Sequence, residues 1–125
     1  MDENQISYII RGCIFRVYNN LGPGLLESIY EAALFHELKK EGLNADNQIP
    51  IKVNYDETIL ELGFRADIIV ERKVLIEIKS VEAINDVHHK QTLTYLKLTG
   101  IKLGLLVNFN TNDISKSIFR KVNGL

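Results

Sequence analysis

Residues 3–20 carry apolar side chains at Ile6, Ile10, Cys13, Ile14 and Val17, running on to Leu21, which is the spacing of one helix face. Arg11, Arg16 and Asn19 fall mostly outside that stripe. Gly22-Pro23-Gly24 then breaks the chain. A second helix is predicted from about Leu25 to Glu41, turning Leu26, Ile29, Ala33, Leu34 and Leu38 toward the core and stopping at Gly42.

Past Gly42 the period shortens. Gln48-Ile49-Pro50-Ile51-Lys52-Val53-Asn54-Tyr55 alternates apolar and polar, as a half-buried strand does, and Pro50 suits an edge position. Asp56-Glu57-Thr58 reads as a reversal. Leu60, Leu62, Phe64 and Ala66 continue a second strand through Asp67-Ile68-Ile69-Val70, and after the charged turn Glu71-Arg72-Lys73 a third covers Val74 to Lys79. Helical spacing returns over residues 84–99 at Ile84, Val87, Leu93, Leu96 and Leu98, closed by Gly100. Lys102 to Phe109 is apolar enough for a strand buried on both faces. Ile114 to Val122 reads as a short helix or tail. The predicted order is α-α-β-β-β-α-β-(α): an α/β domain with an antiparallel meander flanked by helices, in one unit over residues 1–125.

Composition refines this picture only slightly. The chain has 125 residues, 46% hydrophobic and 25% charged, which suits a globular domain with its own core. No apolar run nears the ~20 residues that span a bilayer, and the N-terminus lacks the pattern of a signal peptide. Together with the lone Cys13 these features lead to the expectation of a cytoplasmic protein without a membrane partner. The net charge of −1 matters more, because strong generic nucleic-acid binders usually carry a basic excess. Any basic footprint must be local, among Arg11, Arg16, Lys97, Lys102, Lys116, Arg120 and Lys121; the same residues also fit ordinary solvated charges.

The chemistry concentrates between Asp67 and Lys79. Residues two apart on a strand share a face, so Glu77 and Lys79 project together while Ile76 and Ile78 face away. A short turn could set Asp67 beside them. Two carboxylates and an ammonium suit phosphodiester hydrolysis, in which a hard divalent cation neutralises the transition state and a lysine serves the attacking water. The same Glu-x-Lys pair also fits a solvated ion pair, although its flanks are unusually apolar for one. On the following helix His88, Gln91 and Tyr95 share a face. Glu27 and Tyr30 sit at i, i+3 near the start of the second helix. His88 and His89 find no third partner for zinc. Gly22-Pro23-Gly24 lacks the lysine and spacing of a phosphate-binding loop, which weakens a small-molecule enzyme reading.

Gly24-Leu25-Leu26-Glu27-Ser28-Ile29-Tyr30 resembles the signature of the GxxExxY proteins, a bacterial branch of the PD-(D/E)XK nuclease superfamily. The resemblance continues through Gln48-Ile49-Pro50, Phe64-Arg65-Ala66-Asp67, Glu77-Ile78-Lys79, Gln91 to Leu96 and Gly104 to Phe109, so it covers nearly the whole chain. It implies a restriction-endonuclease-like core with a mixed sheet. It also implies that Glu27, Asp67 and Glu77 hold Mg²⁺ or Mn²⁺, that Lys79 serves the water, and that Gln91 and Tyr95, with His88 nearby, position substrate. Tyr18 departs from the His expected of many relatives, and Ala66 replaces the proline that names the superfamily. The expected function is metal-dependent cleavage of DNA, in repair or defence. The alternative is a non-catalytic module that binds nucleic acid or protein. The short chain and near-neutral charge lead to an expectation of a protein partner or homodimer.

Overall fold

The computed structural model describes residues 1–61 and 63–125; Leu62, expected within the second strand, lies outside the described residues. Helix α1 spans Glu3–Leu21, with Asp2 and Gln5 forming a reciprocal capping box at its start. It buries Ile6, Ile10, Cys13, Ile14 and Val17 of the predicted stripe, while Leu21 at its end is exposed. At the following turn Gly22 and Gly24 both take positive φ (69° and 95°), backbone that a β-carbon would oppose. Tyr18, where a His was expected, donates its hydroxyl to the Thr111 carbonyl at 2.5 Å and so ties α1 to a distant loop.

Helix α2, Glu27–Lys40, is registered by Tyr30 rather than by the leucines. The Tyr30 ring is fully buried and stacks on Phe109 at 4.4 Å between centroids. Its hydroxyl donates to the Gly22 carbonyl (2.5 Å) and accepts from the Leu25 N–H (3.1 Å), fixing the turn that delivers Glu27. The helix therefore buries Tyr30, Leu34 and Leu38. Leu26 and Ile29, expected to face inward, are instead exposed, because docking the Tyr30 ring rotates them out. Tyr30→Phe should keep the stacking and orphan two backbone groups, lowering the unfolding free energy by about 1–3 kcal/mol in urea titration. An unchanged urea midpoint would show that the hydroxyl does not hold the turn.

Five strands form one sheet. β1 (Ala45–Pro50) pairs antiparallel with β4 (Arg65–Val70), which pairs antiparallel with β5 (Val74–Lys79). Helix α3 (Asp86–Thr99) then crosses over, so that β6 (Leu103–Asn108) runs parallel to β5. β7 (Ile118–Val122) completes the order β1-β4-β5-β6-β7. β6 is buried throughout, as its composition foretold. The C-terminal stretch, however, is not a helix: after a 3₁₀ turn at Ile114–Lys116 it becomes β7, antiparallel to β6. Its alternation of half-buried and exposed positions supports an edge strand.

The expected antiparallel meander is present as β1-β4-β5, but the bounds of its first two strands are corrected. Between β1 and β4 the chain leaves the sheet and forms a separate hairpin of β2 (Val53–Tyr55) and β3 (Thr58–Leu60). Asp56 and Glu57 both take positive φ (48° and 64°), which turns the hairpin tightly. The Ile51 N–H donates to the Phe64 carbonyl at 2.8 Å and closes the base of this excursion. Two runs each read as one long strand are thus each split in two.

α1 and α2 cover one sheet face, where Ile68, Val70, Val74, Ile76 and Ile78 join their buried residues. α3 covers the other, packing its Tyr95 and Leu96 over Ala66, Ile69 and Leu75. It approaches closely at Gly104, where an added β-carbon would lie 3.2–3.3 Å from the Leu96 and Thr92 side chains. α3 buries Thr92, Tyr95 and Leu96, while Val87 and Leu98 of the predicted stripe are exposed.

Candidate active site

β4 and β5 stop pairing partway along their length. Their register runs Val70↔Val74, Ile69↔Leu75 and Ile68↔Ile76, and ends there. Each strand keeps its outer neighbour: β4 stays on β1 to Arg65, and β5 stays on β6 to Lys79. The strands therefore diverge at Asp67 and Glu77 and open a cleft. Backbone groups left by the broken ladder need partners, and the two carboxylates supply them. The Ile78 N–H donates to Asp67 Oδ2 at 2.7 Å, and the Asp67 N–H points to Glu77 Oε1 at 3.4 Å.

Alternation along β5 places Glu77 and Lys79 on the α3 side, since Ile76 and Ile78 belong to the opposite core. Glu77 is only 3% exposed. Lys79 Nζ lies 3.3 Å from Gln91 Oε1, and Gln91 Nε2 lies 3.1 Å from the Tyr95 hydroxyl. One turn of α3 separates Gln91 from Tyr95, so both meet the sheet at the same place. Phe64 meets the Tyr95 ring edge-on at 6.2 Å.

The electrostatics follow from burial. Loss of solvent, and then the neighbouring Asp67 charge, push the Glu77 carboxyl up to about 9. Lys79 opposes the rise without cancelling it. Asp67 is also raised, chiefly by burial, with the Ile78 N–H and Lys79 pulling it back. Two adjacent buried carboxyl groups share one proton more readily than they carry two charges. Tyr95 is raised too, by burial and then by the charge of Glu77.

On the α2 side of Asp67 lies an open cleft of about 410 Å³, lined by Glu27, Ser28, Glu31, Gln48, Asp67 and Ile78. Glu27 Oε2 accepts the Ser80 N–H at 3.0 Å, and its charge is close enough to raise Asp67. Gln48 Nε2 donates to Glu31 Oε1 at 2.6 Å and reaches Asp67 Oδ1 at 3.5 Å. Burial raises the Glu31 carboxyl, with Asp67 adding to the effect against the Gln48 hydrogen bond.

The structure thus brings together Asp67, Glu77, Lys79, Gln91 and Tyr95, with Glu27 at the rim. One nitrogen of His88 is engaged outside this group: its Nδ1 accepts the Asn85 N–H at 3.1 Å in the capping box of α3. His89 packs edge-on against Phe119 at 5.0 Å. Among the described residues no three acidic, histidine or cysteine groups are gathered closely enough to hold a metal ion as they stand. Mg²⁺, however, usually takes one or two carboxylates and completes its shell with water and phosphate. The Asp67–Glu77 pair, all oxygen donors and short of a positive charge, fits such an ion.

Glu31 escaped the sequence reading, and Gln48 entered it only as part of the Gln48-Ile49-Pro50 segment, without a role at the site. Glu31 is four residues past Glu27 and so shares its helix face, a signal that was available. Gln48 could be placed only with the register of β1 on β4. Four of the seven candidate basic residues are engaged. Arg16 pairs with Glu41 at 2.7 Å, Lys116 with Asp113 at 3.9 Å, Arg120 with Asn4 at 2.5 Å, and Arg11 lies over the Phe15 ring. No described helix is long and apolar enough to cross a membrane.

A family model described as the PD-(D/E)XK nuclease superfamily matches residues 4–121. Among solved structures, the crystal structure of SSO0001 is similar at a TM-score of 0.58 and 27% sequence identity, over 79% of this chain and 51% of that one. The chain therefore spans about half the length of that relative. No curated protein matches the sequence.

Proposed function

The chain belongs to the PD-(D/E)XK nuclease superfamily, and from that premise we propose that it hydrolyses phosphodiester bonds in DNA with Mg²⁺ or Mn²⁺. Within the superfamily we read it as a GxxExxY protein that serves repair or defence. The observation that carries the reading is the parted β4–β5 ladder, where Asp67 and Glu77 converge beside Lys79.

Asp67 and Glu77, with Glu27 from α2, are the residues that would hold the metal, which would supply positive charge for the phosphate and acidify a water. Lys79 orients the attacking water and balances negative charge as it develops. Gln91 accepts from Lys79 and donates to Tyr95, so it holds the ammonium toward the cleft and carries the Tyr95 hydroxyl beside it. His88 has its Nε2 left to meet substrate from the first turn of α3.

A second reading, a non-catalytic binding module on the same fold, draws on the net charge of −1 and the paired state of Arg16 and Lys116. The same facts favour a protein partner or a second copy that completes the nucleic-acid surface. Incubation of end-labelled single- and double-stranded DNA and matched RNA with Mg²⁺, Mn²⁺ or EDTA tests the first reading. Metal-dependent breakdown of DNA is expected. Intact DNA with every metal, despite measurable DNA binding, would favour the module.

A further inference from the structure

Gln48 sits in the middle of an edge strand with φ of +50°, a conformation that side chains other than glycine adopt at a cost. Its neighbours keep ordinary pairing, Asn47 with Ile68 and Ile49 with Ala66, so the distortion is confined to the one residue opposite Asp67. What accompanies the strained backbone is a particular placement of the side chain. The Gln48 amide spans Glu31 Oε1 on α2 and Asp67 Oδ1 on β4, and its backbone carbonyl accepts from Arg65 Nη1 at 3.3 Å. Asp67 is then approached from two directions: Oδ2 accepts the Ile78 N–H at 2.7 Å, and the Gln48 amide stands 3.5 Å from Oδ1.

We propose that Gln48 is a positioning residue, whose strained backbone aims its amide at Asp67 and Glu31 and fixes the Asp67 carboxylate for its task in the cleft. The inference rests on the nuclease reading, since it assigns to Gln48 the orientation of a carboxylate that reading uses. It also gives Glu31 a part, as the acceptor that anchors the other end of the amide. Hydrogen bonds behind a metal-bound carboxylate commonly govern metal affinity or activity by about 10–100-fold, and that is the size of effect expected here.

Strain makes the idea separable from a structural role. Gln48→Gly removes the amide and relieves the positive φ; Gln48→Asn also tolerates that φ but is one methylene too short to span both carboxylates. Both variants should unfold at the same temperature as the parent or higher. Both should bind Mn²⁺ about 10–100-fold more weakly by calorimetry, with kcat for DNA cleavage falling by a similar factor and KM for DNA little changed. Variants that bind Mn²⁺ as tightly as a Mn²⁺-binding parent overturn the positioning role and leave the nuclease reading standing. A fall in unfolding temperature with undiminished Mn²⁺ affinity assigns Gln48 to the fold instead. A parent that neither binds Mn²⁺ nor cleaves DNA overturns the nuclease reading and the role of Gln48 with it.

Discussion

Lys79→Ala is expected to slow DNA cleavage by about 10²–10⁴-fold, the usual contribution of one positioned acid–base group, while leaving the fold intact. The ammonium is half-buried, beside a carboxylate pair on one side and Gln91 on the other. Its removal takes the nearest positive side chain from Glu77 and Asp67 and leaves Gln91 Oε1 without its donor. Substrate binding depends on other groups, so KM should move little while kcat falls. Lys79→Arg is not a safe substitute, because a planar guanidinium cannot occupy the position of a compact ammonium without displacing Gln91. Single-turnover cleavage with Mg²⁺ or Mn²⁺, alongside circular dichroism of each variant, measures both halves of the expectation. A variant that cleaves at the parental rate would place the chemistry elsewhere, or assign the observed cleavage to a contaminant.

The contrast between what the sequence reveals and what only the fold reveals turns on one physical distinction. Ile6, Ile10, Ile14 and Val17 announce α1 because burial acts through a period that local sequence carries. Glu77 and Lys79 are legible for the same reason, since a strand's alternation fixes which face they share. Asp67 could be placed near them from the short β4–β5 turn. What could not be read is the parting of the ladder, because nothing local says that a carboxylate will take the place of a backbone acceptor for the Ile78 N–H. The reversal at Asp56-Glu57 was legible, but the departure of β2 and β3 from the main sheet was not, because alternation runs unbroken across Pro50 to Tyr55 and does not record which partner a strand has. β7 was missed because a short edge strand buries too little to leave a clear pattern. Tyr30 shows the limit from the other side: its i, i+3 relation to Glu27 was visible, but its stack on Phe109 is a contact 79 residues apart in the chain.

Glu77→Gln should abolish cleavage and at the same time make the metal-free protein more stable. Burial and Asp67 raise the Glu77 carboxyl from 4.5 to about 9, so the folded chain binds this proton more tightly than the unfolded chain does. Below pH 4.5 both states are protonated and the group is neutral toward stability. As pH climbs from there toward 9 the unfolded state gains by ionising and the folded state does not, so stability drains from the parent across that window. Glutamine has no proton to lose, and its amide can still donate toward Asp67 and accept the Asp67 N–H, as the protonated acid does. The stability difference, variant minus parent, should therefore be small near pH 4.5 and widen as pH rises. It should reach at most about 3–4 kcal/mol at pH 7, since each tenfold difference in proton affinity between the two states is worth about 1.4 kcal/mol. Urea unfolding of both proteins at several pH values in EDTA measures that difference. Mn²⁺ should then reverse the order, by stabilising the parent through binding to the folded state alone and leaving the variant where it was. A constant difference across the pH range would mean that Glu77 is not the buried acid that the cleft makes it. A difference that widens with pH and reverses with Mn²⁺ would mark Glu77 as a residue kept for the proposed chemistry rather than for packing.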